Sequence, residues 1–382
     1  MGHSVDCLVV GTGPVGLVAA MALARAGQKV ALIGPDLTRV RDGRTVAILD
    51  GGVQFLKKLD VWERAQALAA PLAEMQIIDD TGSLFRAPPI TFKAIELGLD
   101  AFGQNIELTD LVSHLAESAS KYENLVWIKS QVDRFERRAD GTIMCHTETG
   151  KDVICRILIG ADGRASKVRA FADIQTKEWY YPQKAITAIL SHDQDHHDRS
   201  TEFHTRGGPF TLVPLPGRRS SLVWMMAPKD AERIAQFSDD RFARTVEKQA
   251  QSMLGGMRVD GGRGVIPMAG MSTTAYAAQS VAILGEAAHV FPPIGAQGLN
   301  LGLRDVSALM KSMQGQINQS ALMRFDADRR GDVRTRTLAV DALNRSLLSS
   351  FLPIDFARGA GLLAISAIKP LRHFVMQRGA GL

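Results

Sequence analysis

The sequence has little of what marks specialised protein classes. Aromatic residues make up 6% of its 382 residues, and we find no internal repeat or low-complexity stretch. Its three cysteines, Cys7, Cys145 and Cys155, form no CxxC pair and leave an odd one over. We therefore expect buried free thiols in a reducing compartment rather than a disulfide framework.

Long hydrophobic runs are also missing. Charged residues such as Asp6, Arg25 and Lys29 interrupt the apolar stretch near the N-terminus, and no basic segment precedes it. Neither a signal peptide nor a membrane span fits this pattern. The run from Gly359 to Ile368 is too short to cross a bilayer. We expect a cytoplasmic protein.

Charge of one sign is not in large excess. The 45 Lys and Arg residues against 40 Asp and Glu residues give a net charge of +5. This excess is too small for a dedicated nucleic-acid binder, so we expect no nucleic-acid partner. Between Arg345 and the C-terminus, five basic residues stand against one acidic residue. That segment is either a solvated terminal helix or a contact for an anionic partner.

A glycine-rich turn follows the first apolar run. Asp6–Val10 reads as a strand, Leu17–Arg25 as a helix and Lys29–Ile33 as a second strand. Strand, turn, helix and strand within about 30 residues are typical of a βαβ dinucleotide-binding unit. Glycines in such a turn let the backbone approach a pyrophosphate at the helix N-terminus. We therefore predict a nucleotide site at Gly11, Gly13 and Gly16.

The end of the second strand lacks one expected group. Dinucleotide-binding folds place an acid near this position to hold a ribose diol. Gly34 occupies that position here, and Asp36 follows two residues later. Asp36 is the candidate substitute.

Two further segments have strand ends that could face the same ligand. Ile157–Arg169 is a strand ending in Asp162-Gly163 before a short basic helix, which could also be only a turn. Leu284–Asn300 offers Glu286 at a strand end, two prolines and a glycine loop that leads into a helix. The N-terminus of that helix could stabilise developing negative charge.

The middle of the chain changes character. Thr211–Pro216 and Ser221–Met226 predict a hairpin, and roughly 180–271 predicts a β-rich second domain. Val281–Leu284 returns to a buried strand, and a helix is predicted from about Leu299 to Met313. The chain leaves the nucleotide-binding domain and comes back to it.

The combination of these motifs resembles the FAD-dependent class A monooxygenases, the para-hydroxybenzoate hydroxylase-like group, and within it the ubiquinone-biosynthesis hydroxylases. The resemblance covers nearly the whole chain. Besides the three glycine-containing motifs, it includes Arg44–Leu49, Gly208–Pro216, Leu222–Trp224, Gly298–Asp305 and Phe325–Arg330.

The resemblance implies an α/β fold with a Rossmann-like FAD-binding domain of the GR2 type. A β-rich substrate domain would be inserted into it, and a helical tail would follow. The implied boundaries are 1–75, 101–179 and 272–345 for the FAD-binding domain, 76–100 and 180–271 for the substrate domain, and 346–382 for the tail.

The resemblance also implies roles for individual residues. Gly11, Gly13 and Gly16 would contact the FAD pyrophosphate, with Arg44 near the same phosphates. Asp162 and Gly163 would belong to the motif linked to both FAD and the nicotinamide donor. Glu286 would hold the ribityl or pyrophosphate region. The N1–C2=O edge of the flavin would receive backbone N–H groups from Gly298, Leu299 and Asn300.

Two residues are implied near the reacting part of the flavin. Pro293 would lie beside the ring where oxygen reacts. His289 is the candidate base, because its ordinary pKa lies near neutrality. As part of the flavin motif it has a structural role as its alternative, and the structural role is the one we favour.

Three positions depart from the family pattern. The family usually has Asp where Glu286 stands, Ala-Gly where Gly295-Ala296 stands, and Glu where Gly34 stands. A carboxylate survives at position 286. The loss at position 34 would weaken FAD binding unless Asp36 replaces the missing acid.

The implied activity is hydroxylation of the aromatic ring of a polyprenyl phenol or benzoquinol in ubiquinone biosynthesis. FAD would be reduced by NADPH or NADH and would react with dioxygen to give a flavin C4a-hydroperoxide. The alternatives are a soluble phenol or hydroxybenzoate-type hydroxylase of the same class, and a non-catalytic flavin-fold subunit.

The partners follow from that substrate. We expect a polyprenylated aromatic substrate and a quinone-biosynthesis complex. The basic tail would either contact the inner face of the membrane or pack against the flavin domain or a partner subunit. The segment His192–Asp198 is rich in His and Asp but lacks ligand spacing on a regular scaffold, so we expect no metal site.

Overall fold

The structure is a computed structural model that describes residues 3–37, 43–82, 88–292, 297–314, 317–348 and 368–380. Its strands are β1 His3–Val10, β2 Val30–Ile33, β3 Thr45–Leu49, β4 Ala69–Pro71, β5 Glu74–Asp79, β6 Ile90–Lys93, β7 Gly103–Glu107, β8 Leu125–Ile128, β9 Val132–Arg137, β10 Ile143–Thr147, β11 Val153–Gly160, β12 Thr176–His192, β13 Arg199–Thr205, β14 Gly208–Leu215, β15 Arg219–Met226, β16 Met257–Val259, β17 Gly264–Thr273, β18 Ala277–Ala278, β19 Val281–Ile283 and β20 His289–Val290. Its helices are α1 Pro14–Arg25, α2 Asp50–Lys58, α3 Glu63–Gln66, α4 Leu108–Ala119, α5 Lys167–Phe171, α6 Pro228–Ala235, α7 Asp239–Gln249, α8 Gln297–Ser312, α9 Gln319–Leu348 and α10 Lys369–Ala380, with 3-10 turns at Ala94–Leu97 and Gly285–Ala287.

A largely parallel sheet forms the first layer. Its strands lie in the order β18-β19-β11-β1-β2-β8, in which β19, β11, β1, β2 and β8 run parallel to one another and β18 is antiparallel to β19. Antiparallel β10 pairs with β11 and β9. Because parallel strands end at the same edge, the segments that follow β1, β2, β11 and β19 lie along one edge of this sheet. The predicted βαβ unit is confirmed.

Helix α1 is packed inside this layer. Gly13 is its N-cap residue, and Pro14 occupies its first turn, where a missing N–H costs no hydrogen bond. Every residue from Gly16 to Ala24 is buried. A helix that is apolar on all sides requires neighbours on all sides, and α1 contacts the sheet, α4 and α8.

A second sheet follows the order β20-β17-β12-β15-β14-β13-β5-β6, with β16 beside β12. It is antiparallel except where β13 runs parallel to β5. The predicted hairpin is confirmed as β14 and β15, in which Phe210 pairs with Trp224. Helices α6 and α7 pack against this sheet and help to bury Phe203, Phe210 and Phe242.

A small third sheet, β3-β7-β4, connects the two larger layers. On β7, Asn105 Nδ2 donates to the carbonyl oxygen of Pro214 on β14 at 2.8 Å. On β3, Thr45 Oγ1 donates to Ser221 Oγ on β15 at 2.9 Å. Polar contacts therefore fix the position of the second sheet relative to β3 and β7.

The tail packs against the chain excursion that contains β6. Helix α10 buries Met376 in a cluster with Phe92 and Phe102, and Arg372 donates to the carboxylate of Glu96. Residues 349–367 of the predicted tail lie outside the described residues. Arg372 is one of the five basic residues between Arg345 and the C-terminus, and its charge is bound within the fold by Glu96.

Candidate functional site

The glycines of the first turn have different surroundings. A Cβ atom at Gly11 would lie 2.1 Å from the carbonyl oxygen of Ala161, and one at Gly16 would lie 1.9 Å from the carbonyl oxygen of Gly11. Gly11 also has φ +113°. A Cβ atom at Gly13 would meet no atom within 4 Å. Gly11 and Gly16 are therefore required by packing, whereas the space in front of Gly13 at the N-terminus of α1 is open.

Three elements meet at Val15 in the first turn of α1. A Cβ atom at Gly285 would lie 3.2 Å from Val15 Cγ2, and one at Gly302 would lie 2.4 Å from the same atom. Glycine at both positions thus lets the 285–287 turn and α8 approach α1. The N-terminus of α1 and the turn that carries Glu286 are held close to α8.

Glu286 projects from that turn at the carboxyl end of β19. Its neighbours Gly285 and Ala287 are buried, whereas Glu286 is exposed. Within the described part of the chain, its carboxylate has no hydrogen-bond or ion-pair partner. An exposed carboxylate at the strand edge can accept hydrogen bonds from the hydroxyls of a ligand.

The N-terminal turn of α8 contains the predicted Gly298, Leu299 and Asn300. A Cβ atom at Gly298 would meet no atom within 4 Å. Asn300 is buried, and its Nδ2 donates to the carbonyl oxygen of Ala47 while its Oδ1 accepts from the N–H of Leu49, both at 2.8 Å. Its side chain therefore holds β3.

The first N–H groups of α8 have no acceptor within the helix, as at every helix N-terminus. They can therefore serve an anionic or carbonyl oxygen there. Pro293, predicted beside the reacting ring, lies in the segment 293–296 outside the described residues, as do Gly295 and Ala296.

Asp162 follows β11 at the same sheet edge. Its carboxylate accepts hydrogen bonds from Ser166 Oγ and from the N–H of Val168 at 3.1 Å, which fixes the start of α5. Burial raises the pKa of Asp162 above its ordinary value. Gly163 has φ +78°, and a Cβ atom there would meet nothing within 4 Å. In this motif, the Asp162 carboxylate is hydrogen-bonded within the fold, whereas no described atom lies near the Cβ position of Gly163.

The structure gives a steric reason for glycine at position 34. A Cβ atom at Gly34 would lie 2.8 Å from Thr12 Cγ2, while Thr12 Oγ1 donates to the carbonyl oxygen of Pro35 at 2.6 Å. A glutamate at position 34 therefore has no room. Asp36 is exposed and forms an ion pair with Lys129 at 2.7 Å. The carboxylate nearest the missing acid thus shares its charge with a lysine.

Arg44 lies immediately before β3. Its side chain is exposed, and its carbonyl oxygen accepts from the N–H of Leu108 at 2.9 Å. Since Asn300 binds β3, Arg44 is tied through that strand to the start of α8.

His289 belongs to a buried network that sequence analysis missed. Its Nε2 donates to Asp305 Oδ2 at 2.7 Å, and Arg329 Nε donates to Asp305 Oδ1 at 2.7 Å. All three side chains are buried. Asp305 and Arg329 lie in segments that carried the family resemblance, but nothing in the local sequence indicates that they meet.

The histidine-rich segment lies elsewhere, at a cavity of about 480 Å³ beside the second sheet. His192 Nδ1 donates to the carbonyl oxygen of Gln194 at 2.7 Å, and His196 Nε2 donates to that of Leu215 at 3.0 Å. These ring nitrogens serve local structure. Among the described residues, no group of three His, Cys, Asp or Glu side chains is placed to hold a metal ion.

The described residues fit a flavin dinucleotide at the edge of the parallel sheet. Among the described residues, no atom lies near the position of a Cβ atom at Gly13, Gly163 or Gly298, and the Glu286 carboxylate has no partner. Two helix N-termini reach this edge. Such a set suits a ligand with phosphates, hydroxyls and a polarised ring carbonyl.

Comparison with known proteins agrees with this fit. A model of the FAD binding domain family matches residues 4–337. The ubiquinone hydroxylase UbiL of Rhodospirillum rubrum is 28% identical over 98% of this chain and 89% of its own length. The 3-demethoxyubiquinol 3-hydroxylase of Escherichia coli is 26% identical over 99% of this chain and 98% of its own length.

Solved structures share the fold at lower identity. The p-nitrophenol 4-monooxygenase PnpA of Pseudomonas putida superposes with a TM-score of 0.81 at 17% identity, covering 98% of each chain. HpxO of Klebsiella pneumoniae, solved with FAD and uric acid, superposes with a TM-score of 0.78 at 18% identity, covering 99% of this chain and 96% of HpxO.

Proposed function

The chain belongs to the FAD binding domain family and is an FAD-dependent monooxygenase, and on this premise we propose that it hydroxylates the aromatic ring of a polyprenyl phenol or benzoquinol in ubiquinone biosynthesis. The supporting observation is that relatives named ubiquinone hydroxylase and 3-demethoxyubiquinol 3-hydroxylase match nearly the full chain. The expected fold class, family and cofactor FAD are confirmed by the family match.

Within this proposal the described residues bind and orient the cofactor. Gly13 leaves room for the pyrophosphate at the N-terminus of α1, and Glu286 accepts from hydroxyls of the ribityl chain or ribose. The N–H groups at the start of α8 stabilise negative charge on the flavin ring. When bound, the flavin would activate dioxygen, as the family resemblance implies, after reduction by NADPH or NADH.

A groove of about 370 Å³ begins beside the first turn of α8 and runs between α2, α8 and α9. Leu49, Phe55 and Leu301 give it apolar walls, whereas Arg304 and Lys311 lie along its polar side. A part-apolar groove next to the cofactor edge suits a substrate with a polar ring and a long apolar chain.

Delivery of such a substrate involves a lipid surface. None of the described helices combines the length and apolarity that crossing a bilayer requires. Leu371 and Phe374 of α10 are 38% and 56% exposed, and Lys369 and His373 are exposed beside them. We place the protein in the cytoplasm, with this helix touching the inner face of the membrane and with a quinone-biosynthesis complex as its setting.

The test is a mass-spectrometric quinone profile of host strains that each lack one ubiquinone ring hydroxylase and express this chain. Restored ubiquinone in one strain is expected, and it would identify the ring carbon. The control is the same strain expressing the Gly13→Val variant.

Two outcomes contradict the proposal. If every strain keeps its blocked intermediate while the purified protein contains FAD, the substrate is a soluble aromatic compound. If every strain keeps its blocked intermediate and the purified protein lacks FAD, the chain is a non-catalytic subunit.

A further inference from the structure

Asp305 is a fully buried carboxylate on α8, where it contacts both the 285–287 turn and α9. Its Oδ2 accepts from the N–H of Gly285 at 2.8 Å and from His289 Nε2 at 2.7 Å, and its Oδ1 accepts from Arg329 Nε at 2.7 Å. We propose that Asp305 is a positioning residue of the FAD site that fixes the turn carrying Glu286 against α8.

The hydrogen bonds of Asp305 join α8 to the turn that carries Glu286. Asp305 lies on α8, two turns after the helix begins, and Gly285 directly precedes Glu286. Gly285 adopts φ +58° and packs on Val15, so its N–H direction is set by an unusual backbone conformation. A single carboxylate therefore joins the Glu286 turn to the helix whose N-terminus faces the flavin.

The groups around Asp305 require a negatively charged acceptor. Among the described residues, the three hydrogen-bond partners of Asp305 are all donors, so only a carboxylate can satisfy them together. Burial lowers the pKa of Arg329, but Asp305 and Asp332 outweigh it, and the pKa is raised above its ordinary value. The guanidinium thus compensates the buried negative charge. An asparagine at 305 would turn an NH₂ group toward at least one donor.

Asp305 also sets the orientation of the His289 ring. Its Nε2 donates to Asp305, and its Nδ1 is buried with no partner in the described part of the chain. The ring is therefore held by Asp305 in one orientation. These contacts favour His289 as a second member of the positioning set, and its role as a base stays a prediction.

The experiment compares Asp305→Asn with Asp332→Asn. Asp332 Oδ2 accepts from the same Arg329 guanidinium at 2.6 Å and lies 3.7 Å from Arg304, so Asp332→Asn perturbs the arginine while Asp305 keeps its own bonds to Gly285 and His289. The Kd for FAD is measured on each apoprotein, well below its melting temperature, together with the midpoint potential of the bound flavin. We expect Asp305→Asn to raise the Kd about tenfold, whereas Asp332→Asn changes it less than about twofold.

A double-mutant cycle separates positioning from general destabilisation. If Asp305 acts by placing Glu286, then Glu286→Gln removes the group being placed, and adding Asp305→Asn costs little further FAD affinity. In the control pair, Glu286→Gln and Asp332→Asn are expected to be additive. Additive losses for Asp305→Asn and Glu286→Gln would overturn the proposal.

Two further outcomes are decisive. An unchanged Kd and flavin potential in Asp305→Asn, with melting temperature lowered as in Asp332→Asn, would show a purely structural role. If Asp305→Asn does not fold, His289→Phe tests the same network, and unchanged FAD binding in it would count against the proposal. These assays contain no aromatic substrate, so they are independent of which ring is hydroxylated.

Discussion

Replacing Arg372 by methionine should release α10 from the body of the protein. Arg372 Nε and Nη2 each lie 2.6 Å from an oxygen of Glu96, and Nη2 donates to the carbonyl oxygen of Thr91 at 2.6 Å. The guanidinium carbon also lies 4.6 Å from the centre of the Phe92 ring. Its side chain is only 13% exposed. Methionine keeps the apolar stem and removes every one of these polar contacts.

The expected magnitude follows from those contacts. A partly exposed, two-pronged ion pair contributes about 1 kcal/mol after screening by solvent. The contact with the aromatic face adds about 0.5–1 kcal/mol. A loss of about 2 kcal/mol raises the undocked population of α10 roughly 30-fold. The free energy of global unfolding should change much less, because the core of the parallel sheet lies elsewhere.

The assay is amide hydrogen exchange at residues 369–380, with Lys369→Met as control because Lys369 is exposed on the same helix. Faster exchange is expected for Arg372→Met and unchanged exchange for Lys369→Met. Equal protection of α10 in wild type and Arg372→Met would refute the reasoning.

Acid should reproduce the effect. The Arg372 hydrogen bond lowers the pKa of Glu96 from 4.5 to about 2. A carboxyl group whose pKa is lowered by folding stabilises the docked state fully above its ordinary pKa. That stabilisation is lost as pH falls from 4.5 toward 2. The difference between wild type and Arg372→Met should therefore shrink in this window.

Three further predictions concern the core and the cofactor edge. Gly13→Val should fold but lose FAD, because its side chain enters open space, whereas Gly16→Ala should destabilise the apoprotein; normal FAD content in Gly13→Val would contradict the site. Asn300→Ala leaves the buried Leu49 N–H and Ala47 carbonyl unpaired and should cost about 3 kcal/mol in urea unfolding of the apoprotein. Burial raises the pKa of Cys7 and of Cys145 to about 12, so a thiol reagent near pH 8 should label them only after denaturation; labelling of the folded protein would show that they are accessible.

Local motifs were sufficient to predict the strands and turns that meet at one edge of the parallel sheet. Gly11, Gly13 and Gly16 identified the first strand, turn and helix, and Asp162 and Glu286 were placed correctly at strand ends. This works because glycine turns and strand ends leave local signals, and the parallel topology brings them to one edge. The three cysteines are buried and free, as composition indicated.

Contacts between distant segments could not be predicted. Asn300 binds β3, about 250 positions earlier, and Arg372 binds Glu96, 276 positions earlier. A charge count in the tail treats Arg372 as available to a partner, although the fold uses it internally. Burial of Asp305 and Arg329 likewise leaves no trace in helical periodicity, since a buried ion pair depends on which helices meet.

The contact between Thr12 and the backbone at Gly34 couples two positions after the first two strands of the parallel sheet. Introducing glutamate at position 34 alone would force its Cβ into the Thr12 side chain and should cost about 1–3 kcal/mol through overpacking. Shortening Thr12 to glycine first would open that space, but it would also remove the hydrogen bond to Pro35. Restoring the acid without this loss of stability therefore calls for a change at both positions.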